Sequence, residues 1–233
     1  AGYDDLLQSD MNHSNDVIRE ITTQVRLLRD VRQYGVGSYY SFRMGQLGAL
    51  VANVYLPCAL EIDRSAEAAA TRELIATDAD KQAESFRTIP DKRGLTYIRI
   101  VSDYFAPELK LERETSELVL SDYQSGIGGE GYMKNGAGVQ FQKGVQAVAD
   151  VWYTVLNLGY DNLDAPSSPE VLTWYLAKEI EYLLIVRSKP EEAEKTYQQF
   201  AAVNPGIVKA YESVGDSFYE AGMKERGVQE WKV

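Results

Sequence analysis

Residues 210–233 read AYESVGDSFYEAGMKERGVQEWKV, and residues 175–200 read YLAKEIEYLLIVRSKPEEAEKTYQQF. Laid one on the other, the two stretches align. Ile180 matches Val214, Leu184 matches Phe218, and Ser188 at the turn matches Gly222. Ala193 matches Gly227, both small, and Tyr197 matches Trp231, both aromatic. Pro205 closes the first unit. Within each stretch the apolar residues recur at three- and four-residue steps, and a turn residue divides the run in two. Each stretch therefore reads as a hairpin of two amphipathic helices. The small residues let the two helices approach closely, and the large apolar ones fill the gap behind. Ser168 followed by Pro169 is a strong start signal for the first hairpin, because the serine accepts a free helix N–H and proline tolerates the first helical position.

A period of about 34 residues, with small, aromatic and proline positions at these offsets, resembles the tetratricopeptide family. The resemblance covers residues 169–233. The second unit matches better, through Gly215, Phe218 and Gly222. The first departs where Glu181 stands in place of a small residue, which implies looser packing there. Two units do not bury a continuous core alone, so they pack on upstream helices, on another copy or on a partner. The resemblance implies a protein-binding groove lined by the first helix of each hairpin. On this chain that face is Tyr175, Lys178, Tyr182 and Ile185, then Lys209, Glu212, Asp216 and Tyr219. Lys178 fits the family's carboxylate clamp, but Tyr182 and Asp216 replace its asparagines. A mixed aromatic and charged groove for a peptide or a helix is the expectation. The family reading makes the chain a non-enzymatic adaptor or scaffold, with a structural subunit of a larger assembly as the alternative. Sixteen tyrosines, several in or near these hairpins, suit either, because tyrosine is amphipathic and common at interfaces.

Outward from the hairpins, the rest of the chain also reads as helix, so the expected class is all-α. Ser14, Asn15 and Asp16 offer caps before an apolar stripe of Ile18, Ile21, Val25, Leu28 and Val31, stopped at Gly35. A second helix is expected from Tyr39 to Tyr55, ahead of Pro57. A third follows a cap at Ser65 and closes before Pro90. Residues 95–106 fit a strand or a short buried helix equally. A helix is expected after Pro107, and another from residue 139 with Val145, Val148, Trp152 and Val155 on one side. The expected organisation is a helical region over 1–124, a flexible glycine-rich connection over 125–138, and a helical region over 139–233 carrying the hairpins. Protease is expected to cut fastest between Gln124 and Gly138.

That connection contains SGIGGEG, in which Gly126, Gly128 and Gly131 fit a dinucleotide fingerprint, with Asp150 as its distant acid. The fingerprint needs a buried strand before it and an unbroken helix after it. A helix fits the preceding ELVLSDYQ as well as a strand does, and Asn135, Gly136 and Gly138 are expected to break the helix that follows. A hinge is therefore the expected role, and a nucleotide-binding enzyme is the minor alternative. No cofactor is expected. With one histidine, His13, a histidine metal cluster is excluded, and with one cysteine, Cys58, so is an internal disulfide. The acidic pieces TDAD and YDNLD lack calcium-loop spacing and read as caps and turns.

The net charge of −11 repels polyanions, so nucleic acid is not an expected partner. A protein or peptide, or further copies of the chain, are. Hydrophobic residues make up 45% and charged residues 25%, a globular balance. The longest uncharged run, from Met44 to Leu60, is shorter than the roughly 20 residues a membrane span needs, and Gln46, Asn53 and Pro57 interrupt it. The chain starts at Ala1 with no apolar leader, so an exported form after leader removal and a cytoplasmic form both fit.

Overall fold

The computed structural model describes residues 14–60, 66–82, 94–157, 168–203 and 206–232. The chain is all-α: the described residues form helices α1 (Ser14–Val31), α2 (Ser38–Asn53), α3 (Ala66–Gln82), α4 (Val101–Gln124), α5 (Tyr132–Leu156), α6 (Pro169–Glu181), α7 (Pro190–Val203), α8 (Val208–Glu220) and α9 (Lys224–Glu230), and no strand. None of these helices is long and apolar enough to cross a membrane. The cap expected at Ser65, the stretch up to Pro90, His13, YDNLD and Pro205 lie outside the described residues.

Contacts divide the chain into two compact units. Among the described residues, one joins 26–43 to 168–232; the other joins 14–25 to 44–157. The division falls inside α1 and α2 and not at 125–138.

In the first unit the start signal at α6 acts as read: Ser168 is extended, and its side chain accepts from the Val171 N–H. The echo between the hairpins is structural. Leu176, Ala177, Ile180, Leu183 and Leu184 are buried, and so are their counterparts one repeat on, Ala210, Tyr211, Val214, Ser217 and Phe218. Ala193 and Thr196 repeat as buried Gly227 and Glu230. Ser188 and Gly222 both hold a left-handed backbone, with φ of 52° and 85°. The closing bonds differ by one residue. The Met223 N–H reaches the Phe218 carbonyl at 2.9 Å, whereas the Lys189 N–H reaches back to Leu183 at 2.8 Å. A π turn over Tyr182–Val186 takes up the extra residue. The second hairpin is closed by glycine on glycine: a β-carbon on Gly227 would lie 2.7 Å from the Gly215 carbonyl oxygen. Rings join one hairpin to the next, with Phe200 against Tyr211 at 4.8 Å and Tyr197 against Phe218 at 6.2 Å.

The second unit overturns three expectations. α5 runs unbroken through Asn135, Gly136 and Gly138. Glycine costs a helix about 1 kcal/mol, but Met133, buried with Cys58, Ile75 and Val119, anchors the first turn. The Tyr132 ring fills the space a Gly136 side chain would take. α4 begins at Val101 and contains Pro107. The backbone bond lost at an interior proline is offset by burial of Val101, Phe105 and Leu109. The glycine-rich stretch is short and tied. Asp122 accepts from the Ile127 N–H through its carbonyl at 2.8 Å and from the Tyr132 N–H through its carboxylate at 2.6 Å. Asp78 of α3 accepts from the Tyr123 hydroxyl at 2.9 Å.

Of residues 95–106, ambiguous in sequence, 101–106 open α4, while 94–100 are an irregular strap on α5. Thr96 N–H donates to Asp150 Oδ1 and Ile98 N–H to Thr154 Oγ1, both at 2.9 Å. Alternate backbone donors of the strap thus meet side chains one helical turn apart.

Candidate protein-binding surfaces

The face expected to line a groove divides into a covered part and an open part. Tyr175 is 1% exposed and does not line a groove. Tyr39 of α2 packs on it with ring centroids 5.1 Å apart and on Tyr182 at 5.4 Å. Phe42 stacks on Tyr182 at 5.4 Å and 22°. The face of α6 that the family resemblance makes a ligand surface is therefore occupied by the N-terminal turns of α2. Lys178 pairs with Glu181 at 2.8 Å, and Ile185 is exposed in the π turn.

Burial governs the ionisation of this cluster. Arg43, 2% exposed, donates to the Tyr39 hydroxyl at 3.1 Å. Burial, then the neighbouring Glu179 carboxylate, pushes the Tyr175 hydroxyl far up. Burial pushes Glu179 itself up to about 7. Its Oε1 lies 3.5 Å from the point a β-carbon on Gly37 would take.

The open part lies on α8. Lys209 and Glu212 are exposed. Asp216, also exposed, accepts from Trp231 Nε1 at 3.1 Å. Tyr219 is 41% exposed, packs on the half-exposed Trp231 ring at 5.3 Å, and carries Lys224 above its face. Rigid support comes from behind. Arg226 lies 4.2 Å over the Tyr197 ring and pairs with Glu194 and the buried Glu230, and Tyr197 donates to Glu230 at 2.7 Å. A surface with aromatic faces beside both signs of charge suits a peptide or helix with mixed side chains.

The second unit carries a surface that sequence reasoning missed. Two apolar cavities of about 460 and 430 Å³ adjoin along α5 and share Tyr55, Leu56, Gln140 and Phe141. Their walls are the end of α2 with the turn after it, one face of α3 and the outer side of α5. Phe141, Val145, Trp152 and Leu156 of α5 are 40–45% exposed. Trp152 is held in place by its Nε1–H, which donates to the Met44 carbonyl at 3.0 Å. Its ring leans on Gly48, where a β-carbon would come within 3.1 Å. The signal was visible in Val145, Val148, Trp152 and Val155, but periodicity does not say which apolar side of a helix faces inward. Val151 and Val155 are buried; Val145 and Trp152 face outward.

The glycine-rich turn offers a nucleotide little. Helix α4 stands where the fingerprint requires a strand. Asp150, the distant acid, is fully buried and accepts from Thr96 N–H, Tyr104 hydroxyl at 2.7 Å and Gln146 at 3.1 Å. Cys58 is buried, with φ of 63°, and its N–H donates to Ser116 Oγ at 2.7 Å. Asp78 of TDAD pairs with Lys81, and no group of three or more metal-ligating side chains gathers among the described residues. No family model, curated protein or solved structure matches the chain.

Proposed function

We propose that the chain is a non-enzymatic protein-binding scaffold, with a tetratricopeptide-like hairpin pair presenting the α8 face to a peptide or helix. One observation carries the reading: the burial pattern of α6 and α7 recurs one repeat later in α8 and α9, with a left-handed residue at the same place in each turn. Such layers hold their outward helix faces fixed, which is what a recognition surface requires. Lys209, Glu212, Asp216 and Tyr219 supply that face. Tyr175 and Tyr182 serve instead to hold α2 against α6. Affinity capture from the native source tests it, with wild-type chain, Tyr219→Ala and Tyr182→Ala compared after each is checked for helicity. The scaffold reading expects a partner that Tyr219→Ala loses and Tyr182→Ala retains. A set of captured proteins identical for wild type and Tyr219→Ala would overturn it.

A second reading, a structural subunit of an assembly, is favoured by the exposed apolar stripe on α5. Soluble monomers seldom leave such a stripe in water. A nucleotide enzyme built on Gly126–Gly131 has no such support, and an equilibrium titration with ATP and NAD at millimolar levels is expected to show no binding.

A further inference from the structure

The exposed or half-buried apolar residues of α5 recur as Phe141, Val145, Val148, Ala149, Trp152 and Leu156, steps of four and three on either side of a central adjacent pair, which keep one seam along the helix, with Val148 and Trp152 also leaning on Gly48 of α2. The seam is about 22 Å long at 1.5 Å per residue. Its spacing is a palindrome. Turned end for end about the point between Val148 and Ala149, it places Phe141 opposite Leu156, Val145 opposite Trp152, and Val148 opposite Ala149. Each pair sets a larger side chain against a smaller one, with the smallest at the centre. That is the self-complementarity a two-fold interface demands, in which residue i meets j and j meets i.

Charge points the same way. The molecule carries −11, so two copies repel unless they meet on neutral ground. Between Gly138 and Leu156 the only charged residues are Lys143 and Asp150. Lys143 pairs with Glu108 at 3.2 Å, and Asp150 is buried among hydrogen-bond donors. The seam's flanks are Gln142, Gln146 and Tyr153. On α5 itself a partner chosen by charge would meet only Lys143, already paired with Glu108.

We infer that α5 is a homodimer interface: a second copy lies antiparallel along the seam, its own α5 filling the cavity bounded by Ala52, Tyr55 and Leu56. This rests on the assembly reading and names the partner. Sedimentation of the purified full chain tests it without any other protein. The wild type sediments as a dimer at micromolar concentration. Val145→Glu, at a position already 43% exposed, weakens the dimer about 100-fold, because a tenfold loss at each contact counts twice under two-fold symmetry. Phe141→Lys and Leu156→Glu each weaken self-pairing, and mixing the two variants restores a heterodimer, a result that general loss of structure does not give. A monomeric wild type overturns the inference while leaving the assembly reading to the capture experiment. A dimer that Val145→Glu leaves intact, or variants that fail to restore each other, overturns the antiparallel seam.

Discussion

Ser188 and Gly222 show how one backbone angle is obtained from two residue types. An L-residue in the left-handed region costs about 1–2 kcal/mol, and glycine avoids that cost while losing more freedom on folding. Ser188→Gly is expected to stabilise the fold by about 0.5–1 kcal/mol, and Gly222→Ala to destabilise it by about 1 kcal/mol, both read from urea unfolding. The glycine pair has no such slack. At Gly227 a methyl group meets the Gly215 carbonyl oxygen at 2.7 Å, and backbone does not rotate away as a side chain does. Gly227→Ala is expected to cost about 1–3 kcal/mol. Glu179 gives a pH signature. Its carboxyl is held at about 7, above its ordinary value, so the folded chain binds that proton more tightly than the unfolded one. Its contribution is full below the ordinary carboxylate range and is lost as pH rises through about 7. Glu179→Gln removes the dependence. Relative to wild type it is expected to stabilise by about 1–2 kcal/mol at pH 8, discounted for partial solvent screening, and to be neutral at pH 4. Thermal denaturation at the two pH values reads the difference, and equal effects at both would refute the assignment.

Among the elements, the strap over 94–100 depends most on one side chain. Asp150→Ala strands the Thr96 N–H and the Tyr104 hydroxyl, each worth about 1–3 kcal/mol when left unpaired. A loss of about 2–4 kcal/mol is expected, with faster amide exchange at Thr96. The strap also shows where sequence reading stops. Helices with local signals were legible: α1 from its apolar stripe, and α6 from Ser168 and Pro169. The strap has no period because its backbone donors pair with α5 side chains far along the chain. For the same reason the covering of Tyr175 and Tyr182 was invisible. Their lids, Tyr39 and Phe42, come from the N-terminal part of the chain, and nothing local to α6 announces them. The continuity of α5 was hidden differently, because glycine propensity argues for a break and only tertiary packing at Met133 and Tyr132 argues against it. With its turn tied to Asp122 and Asp78, the stretch from Gln124 to Gly138 is no longer expected to be the fastest site of proteolysis.

For the molecule entire, charge and apolar surface pull in opposite directions, and salt separates them. A net charge of −11 opposes self-association at long range, while the α5 seam favours it at contact. Raising ionic strength from about 20 to about 300 mM shortens the screening length to a few ångströms. Dimerisation is therefore expected to strengthen with salt; an interface held by ion pairs would weaken. The layered hairpins add a consequence in time rather than in space. Because α9 is short and packs chiefly on α8, while α6 packs on both α7 and α8, the array has an inside and an outside. Openings start where there is one neighbour to leave and propagate inward, as in other stacked repeats. Amide protons are thus expected to exchange in order, α9 first, α8 next and α6 last, so that the second hairpin samples its open form many times for each global unfolding.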